Sequence, residues 1–281
     1  MKLGVHVSIA GSVDRAFDRA EERGCDTFQI FTRNPRGWKS KDLIDKEVES
    51  FRAKSESSGI EPVFGHMPYL PNLASSKDET YEKSVETLID ELSRCARLGI
   101  PYLVTHLGSH LGQGKEIGFE RIINAINRAV KEAEIDVMLL LENTAGTKNS
   151  MGATFEDLRF IIESLDEANR IGICFDTCHA FAAGYDLRNE EALQTTMEKF
   201  EEILGFQRLR VVHANDSVGK LGSRLDRHEH IGFGYIGDEG FKVILKHEVL
   251  GSLPLILETP VDQAGDDYTD LKKMRDLFQS I

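Results

Sequence analysis

The sequence predicts a (β/α)8 barrel of the TIM-barrel class that occupies residues 1–281 as a single domain. Three observations support this prediction: eight short apolar runs, helical patterns between them, and no linker or composition change that would mark a second domain. The runs are apolar throughout, as in parallel strands that helices cover on both faces. An open doubly wound sheet is the structural alternative, but residues 4–11 lack the GxGxxG turn that commonly begins one.

Each predicted strand is a short run rich in apolar and β-branched residues. The eight runs are residues 2–8, 27–32, 63–67, 102–108, 137–143, 171–177, 209–216 and 254–260. Apolar residues at helical spacing precede Gly24 and Gly99, two typical helix ends. The same helical spacing recurs in residues 116–134, 155–165, 191–204, 238–249 and 268–280.

The composition restricts the possible classes of function. With 41% apolar and 29% charged residues, the chain has the profile of a water-soluble protein and no run long enough to cross a bilayer. The N-terminus shows no signal-peptide pattern, which predicts a cytoplasmic protein. Cysteines are few for this length, so we expect reduced thiols and no disulfide. These cysteines are Cys25, Cys95, Cys174 and Cys178.

The net charge of −13 argues against a nucleic-acid partner, because binding phosphate normally needs a basic surface. Bound divalent metals would weaken this objection by concentrating positive charge where a phosphate must lie. Net charge also affects non-specific binding more than it affects one metal-lined cleft. A nucleic-acid substrate therefore remains compatible with the composition if a metal site exists.

Polar residues stand at the C-terminal end of every predicted strand, and in a barrel these ends converge on one mouth. They are His6, Thr32, His66, His106, Glu142, Asp176, His213 and Glu258. Two local motifs add candidates: DTCH at residues 176–179 and DRH at residues 226–228, where alternate residues of an extended loop face one side.

Nine of these residues form a candidate metal-binding set. They are His66, His106, Glu142, Asp176, His179, His213, Asp226, His228 and Glu258. Nine nitrogen and oxygen donors exceed the roughly four that one zinc ion takes and suit two or three ions. Alone, each has an ordinary structural interpretation as a hydrogen-bonded histidine or a solvated turn, but convergence at one mouth favours metal binding.

Other candidates receive weaker interpretations. Cys174 and Cys178 are predicted to pack, because the spacing does not bring both sulfurs to one metal. His6 is equally compatible with a structural role and with a supporting or substrate-contacting role at the mouth. His110, His230 and His247 are predicted to be supporting or surface residues.

These motifs closely resemble those of the endonuclease IV family of AP endonucleases. The resemblance rests on DTCHAFAAGYD at 176–186, HANDS at 213–217, GSRLDRH at 222–228, HLGS at 106–109 and LENTAG at 141–146. It extends from His6 to Glu258, which is nearly the whole chain. The family implies a hydrolase of base excision repair that cuts 5′ to an abasic site in double-stranded DNA, leaving a 3′-hydroxyl and a 5′-deoxyribose phosphate.

The resemblance also implies three zinc ions and assigns their ligands. His66, His106 and Glu142 would hold the first, and a bridging Glu142 with Asp176, His213 and Glu258 would hold the second. His179, Asp226 and His228 would hold the third. Glu142, Asp176 and Glu258 would be the residues most directly involved in catalysis.

Three further residues match the family's DNA-inserting positions, namely Arg36, Tyr69 and Leu70. Apolar and arginine wedges of this kind are used to kink DNA from the minor groove. The structural alternative is that Tyr69 and Leu70 cap the barrel between Pro68 and Pro71. A monomer is the expected state.

Two other functions remain open. Sugar isomerases and epimerases on the same barrel bind divalent metals at strand ends, although five histidines and the loop at 226–228 favour zinc and hydrolysis. A DNA-damage binding module without turnover is the non-enzymatic alternative, but intact Glu142 and Glu258 argue against it. Fold alone does not decide between these functions.

Overall fold

A computed structural model describes residues 1–133 and 135–281. The barrel strands are β1 (Lys2–Val5), β2 (Phe28–Ile30), β3 (Val63–His66), β4 (Tyr102–Thr105), β5 (Met138–Glu142), β6 (Ile171–Asp176), β7 (Leu209–His213) and β10 (Pro254–Leu257). A short antiparallel pair, β8 (Asp216–Ser217) and β9 (His228–Glu229), lies beyond β7. The helices are α1 (Arg15–Glu22), α2 (Asp45–Ser58), α3 (Asp78–Leu98), α4 (Lys115–Ala133), α5 (Phe155–Glu163), α6 (Thr177–Ala183), α7 (Glu190–Ile203), α8 (Gly237–Lys246) and α9 (Asp267–Gln279).

The eight barrel strands pair in parallel in the order β1-β10-β7-β6-β5-β4-β3-β2. The two end strands meet through a parallel bridge between His6 and Gln29, where the Val7 N–H also donates to the Gln29 carbonyl at 2.8 Å. This closure confirms the predicted (β/α)8 barrel. None of the described helices is both long enough and apolar enough to cross a membrane.

The strands are shorter than predicted, because several strand-end residues belong to the following loops. The predicted strand at 209–216 divides into β7 and the separate β8. Thr32, predicted at the mouth, instead bonds Glu91 and Arg94 of α3, because β2 ends two residues earlier, at Ile30. Residue 134, the last of one predicted helix, lies outside the described residues.

Two helices were not identified from the sequence. Phe51 is the one fully buried residue of helix α2, so this helix lacks a strong apolar stripe. Helix α6 begins immediately after β6, and the Asp176 carboxylate caps it by accepting the His179 N–H at 2.7 Å. The predicted strand at 171–177 therefore ran one residue into this helix.

The barrel interior is filled by one apolar layer that lies directly beneath the candidate site. Its six residues are Phe64, Val104, Leu140, Cys174, Val211 and Ile256. Side chains two positions apart on a strand face the same side. The residue two positions later is a candidate ligand in all six cases: His66, His106, Glu142, Asp176, His213 and Glu258.

The larger apolar core packs between the strands and the outer helices. All four cysteines are buried and free of disulfides. Burial raises the pKa of Cys174 and of Cys178 to about 12, so both remain protonated thiols at neutral pH. Each sulfur also lies close to candidate metal ligands, Cys174 to Glu142 and His213 and Cys178 to Asp176 and His228, so the role in packing stays a prediction.

Gly4 is required for closure between β1 and the segment before β2. A Cβ at Gly4 would lie 1.7 Å from the Thr27 carbonyl oxygen, whereas one at Gly37 would meet nothing within 4 Å. We expect Gly4→Ala to lower the free energy of unfolding by at least about 3 kcal/mol, because the backbone of the neighbouring strand must move. Urea denaturation of both variants tests this, and equal stability of Gly4→Ala and Gly37→Ala would contradict it.

Candidate metal centre

The centre is built around the fully buried carboxylate of Glu142, at the end of β5. Imidazole nitrogens from four histidines surround it at 3.2–3.3 Å: His66 Nε2, His106 Nε2, His179 Nδ1 and His213 Nδ1. A buried carboxylate is costly unless positive charge lies close to it. Glu142 is therefore placed where it could share metal ions with several of these histidines.

A second cluster extends from Glu142 across the floor of the mouth. Asp176 and Glu258 join Glu142 and His213 there, with ligand atoms all within 4.8 Å of one another. The His213 Nδ1 atom lies 3.2 Å from Glu258 Oε2. Three carboxylates this close repel one another, so the arrangement favours a bound cation.

A third cluster combines the start of α6 with the β8–β9 connection. His179 Nε2 lies 3.1 Å from Asp226 Oδ1, and His228 completes a group that could hold one ion. The His228 Nε2 atom is buried, has no hydrogen-bond partner and lies 3.6 Å from Asp176 Oδ2. A buried ring nitrogen with an unused lone pair facing carboxylates is suited to a metal ion.

Hydrogen bonds on the outer ring nitrogens orient two histidines toward the centre. The Nδ1 atoms of His66 and His228 lie 2.7 Å from the Met67 carbonyl and 3.0 Å from the Glu258 carbonyl, so each of them donates its proton there. The other ring nitrogen then faces the centre with its lone pair available, which is the tautomer that metal binding needs.

Side-chain amides that sequence analysis did not select hold the carboxylates and His213 in place. The Gln29 amide donates to Glu258 Oε1 at 2.7 Å, and its carbonyl lies 2.9 Å from His213 Nε2. Asn215 donates to Asp176 Oδ2 at 2.8 Å and accepts the Glu258 N–H at 2.7 Å. Gln29 is buried between ligands that are distant in sequence, so its contacts with them are not visible in the local sequence. The one local signal is that Gln29 is a polar residue between the apolar residues of β2.

The electrostatics of the centre couple protons to metal binding. Burial opposes ionisation of Glu142 and Glu258, but the surrounding histidines hold the pKa of both carboxyls well below the usual range. Burial likewise opposes charging of His179, yet Asp176, Asp226 and Glu142 raise its pKa well above the ordinary value. The carboxylates thus require positive charge from imidazolium protons or from cations that displace those protons.

The remaining histidines serve other contacts. His6 lines the mouth, lies 3.1 Å from the Gln29 amide nitrogen, and has a pKa that burial lowers to about 4. His230 is buried against Asp270 at 2.7 Å and Asp262 at 3.2 Å. His110 and His247 accept backbone N–H groups of their own turns.

A cavity of about 630 Å³ opens over the centre and is bordered on one side by Tyr69. The Tyr69 ring, 71% exposed, contacts Phe31 with centroids 4.9 Å apart, while Leu70 is 40% exposed beside it. Arg36 and Tyr69 both line an adjoining cavity of about 990 Å³. Two of the three residues predicted to insert into DNA, Tyr69 and Arg36, therefore border the mouth, whereas Leu70 is exposed next to Tyr69 without lining either cavity.

Lys39 and Lys41 line the same adjoining cavity as Arg36. The loop that carries them is held by Arg94, which donates to the carbonyls of Lys41 at 2.9 Å and Thr32 at 2.5 Å. The overall acidic charge is thus accompanied by local basic groups beside the mouth.

The closed barrel and its cluster of histidines and carboxylates define the class as a xylose isomerase-like TIM barrel, and a family profile with that description matches residues 17–280. A "Probable endonuclease 4" of Methanoculleus marisnigri is 59% identical over 276 residues, which cover 98% of each chain. Endonuclease IV from Thermus thermophilus superimposes with a TM-score of 0.89 at 38% identity, covering 100% of both chains.

The chain belongs to the endonuclease IV family. A D-tagatose 3-epimerase-like protein also superimposes, with a TM-score of 0.73 at 21% identity over 100% of this chain and 97% of that one. At this identity the likeness concerns the fold alone.

Replacing Gln29 tests whether its amide organises the centre. We expect Gln29→Ala to weaken zinc binding by about 10- to 100-fold, the usual effect of removing a group that orients metal ligands. Competition with a chromophoric chelator measures this affinity. Gln194→Ala, which removes an exposed amide from α7, is the control, and equal zinc affinity of the two variants would show that Gln29 has no such role.

Proposed function

We propose that this protein is a zinc-dependent AP endonuclease that hydrolyses the phosphodiester bond 5′ to an abasic site in double-stranded DNA. The observation that carries the proposal is the buried Glu142 carboxylate at the junction of several histidine and carboxylate groups, each able to hold a metal. Membership of the endonuclease IV family supports the same activity. The products would be a 3′-hydroxyl and a 5′-deoxyribose phosphate.

The residues present fit three zinc ions. His66, His106 and Glu142 form one candidate group, and Glu142, Asp176, His213 and Glu258 form the second. His179, Asp226 and His228 form the third. The unpartnered Nε2 of His228 and the mixture of imidazole and carboxylate donors support zinc, which prefers such ligands.

When bound, zinc ions supply Lewis-acid activation of water and of phosphate oxygens at neutral pH. The protein's part is to set the geometry in which a phosphodiester meets that centre. Glu142 belongs to two ligand groups, so it fixes the spacing between them. Gln29 and Asn215 prevent Glu258 and Asp176 from turning away, because each amide bonds a carboxylate and a neighbouring element.

Selectivity for an abasic site would come from the cost of extruding a nucleotide. A nucleotide without a base has lost its stacking and pairing, so it enters a pocket at lower cost than an intact one. Tyr69 borders the cavity over the centre, Arg36 lines the adjoining cavity, and Leu70 is exposed beside Tyr69, so the three side chains would fill the space left in the duplex. All nine candidate ligands come from one chain, so a monomer, the expected state, would contain the complete set.

The acidic net charge of −13 does not prevent this function. Three zinc ions would place six positive charges at the mouth, and Arg36, Lys39 and Lys41 line the neighbouring cavity. Phosphate attraction would therefore be local to the mouth. Sugar epimerisation, the alternative on this fold, gives no role to the third group around Asp226 and His228.

Cleavage of a defined duplex tests the proposed activity. We expect zinc-loaded protein to cut a duplex with one tetrahydrofuran abasic analogue immediately 5′ to the lesion, and prolonged chelation to abolish cutting. Glu142→Ala should lower kcat/KM by more than about 100-fold, since losing a shared ligand exceeds the effect of losing a supporting group. Gel electrophoresis of end-labelled strands measures both.

The control for Glu142→Ala is Glu163→Ala, which removes an exposed carboxylate from the end of α5. It should cut at the wild-type rate. If zinc-loaded wild-type protein leaves the duplex intact, the nuclease proposal is wrong, and ketose substrates become the next ones to screen for epimerisation.

The third metal group can be tested by counting ions. We expect three zinc ions per chain in wild-type protein and two in Asp226→Ala, because Asp226 belongs only to the group with His179 and His228. Inductively coupled plasma mass spectrometry after gel filtration gives the count. Asp276→Ala, on the exposed face of α9, should retain three ions, and a wild-type count of two would contradict the third site.

A further inference from the structure

Phe233 is a large aromatic side chain displayed on the rim of the barrel mouth. It is 72% exposed and lies in the turn between β9, which ends at Glu229, and α8. A single exposed apolar side chain is common on protein surfaces, but Phe233 shares this region with Val261, 71% exposed, and Tyr235, 49% exposed, and such a group indicates a contact surface.

The turn that displays Phe233 is held rigidly by Asp216. Its carboxylate accepts the N–H groups of Gly232 at 3.0 Å and Gly234 at 3.1 Å, on either side of Phe233. It also accepts the N–H groups of Ile236 and Gly237. Several backbone bonds to one buried carboxylate fix the turn, so Phe233 is kept from folding back onto the protein.

Both flanking glycines are required for this arrangement. A Cβ at Gly234 would lie 2.4 Å from Asp216 Oδ1, and Gly232 has a φ of +86°. The turn thus brings its backbone against the carboxylate and leaves the Phe233 side chain pointing outward. Phe233 therefore lies on a turn whose backbone is fixed by hydrogen bonds to Asp216.

Phe233 is connected through His230 to the β10–α9 loop, which borders the metal cavity. Its ring centroid lies 6.4 Å from that of His230, and His230 Nε2 bonds Asp262 at 3.2 Å. Val261, the residue before Asp262, is 71% exposed and lines the cavity over the metal centre. His230 therefore connects the turn bearing Phe233 to the loop bearing Val261.

Tyr69 lines the same cavity as Val261. The cavity thus has an exposed apolar side chain from the β3–α3 loop and another from the β10–α9 loop. On the turn that carries Phe233, Tyr235 is half exposed and Lys220 lies 5.9 Å from its ring centroid. Aromatic surface beside a cation matches a nucleic-acid strand, which offers stacking faces and phosphates together.

We propose that Phe233, together with Val261, forms a second DNA-contacting surface that stacks on a base or deoxyribose of the duplex beside the abasic nucleotide. This inference rests on the proposed function and adds a DNA-binding residue to it. DNA is favoured over a protein partner because the β10–α9 loop, which His230 joins to the turn bearing Phe233, lines the cavity where the scissile phosphate would lie. It would act in binding the damaged duplex and not in the chemical step.

The test compares Phe233→Ala, Phe233→Trp and Phe278→Ala on an abasic-analogue duplex. Phe278, on α9, is also an exposed phenylalanine but lies outside the mouth loops, so it serves as the control. Steady-state cleavage gives KM and kcat, and fluorescence anisotropy gives Kd for the same duplex with chelator-treated protein, which is expected not to cut it. Zinc content and hydrolysis of bis(p-nitrophenyl) phosphate report on the metal centre without DNA.

We expect Phe233→Ala to raise KM and Kd about 10-fold, the scale of one base–aromatic stack, with kcat nearly unchanged. Phe233→Trp should restore wild-type values, and Phe278→Ala should match them. Zinc content and bis(p-nitrophenyl) phosphate hydrolysis should be equal in all variants. Such a KM effect with rescue by tryptophan would not follow from a merely structural role.

Three results would overturn the inference. If Phe233→Ala has unchanged KM and Kd while wild-type protein cuts normally, the proposed contact is rejected and the proposed function is unaffected. Loss of zinc or of bis(p-nitrophenyl) phosphate hydrolysis would show a structural role, and a dimer dissolved by Phe233→Ala would show a contact between copies. Wild-type protein that neither binds nor cuts the duplex would reject the proposed function and this contact together.

Discussion

The structure depends on burying one carboxylate, that of Glu142, among four imidazoles at the mouth of the barrel. A carboxylate without water is tolerable only when positive charge and hydrogen bonds are arranged around it beforehand. Six strands contribute to this arrangement through the same local rule, a ligand two residues after an interior apolar side chain. The apolar layer thus supports the polar layer directly above it.

The supporting hydrogen bonds extend outward from that carboxylate into the surrounding fold. Gln29 and Asn215 join side chains of the centre to neighbouring strands, and backbone carbonyls fix the tautomers of His66 and His228. Such contacts hold the ligands in place before a metal binds, which lowers the cost of ordering them at that moment. The carboxylate of Asp216 likewise fixes the turn that carries Phe233 on the rim.

An acidic protein of this family can act on DNA if attraction is local. The charge of −13 is a property of the whole chain, whereas the mouth combines metal groups with Arg36 and exposed apolar side chains. Metal charge, wedges and stacking surfaces do not require a basic exterior. The acidic composition is therefore compatible with a DNA substrate.

Sequence by itself determined the eight strands, seven of the helices, the nine candidate ligands and the family, because apolar runs, helical spacing and recurrent strand-end donors are local patterns. It missed α2, whose stripe is weak, and placed Thr32 at the mouth although β2 ends earlier. Only the tertiary structure brought Gln29 next to Glu258 and His213 and exposed Phe233 on its turn. The Gln29 amide donates to the carboxylate of Glu258, which lies 229 residues later in the chain. Phe233 is of interest because it is exposed on a turn that Asp216 fixes. Neither a long-range partner nor solvent exposure is a property of the local sequence, since both arise only when the barrel closes.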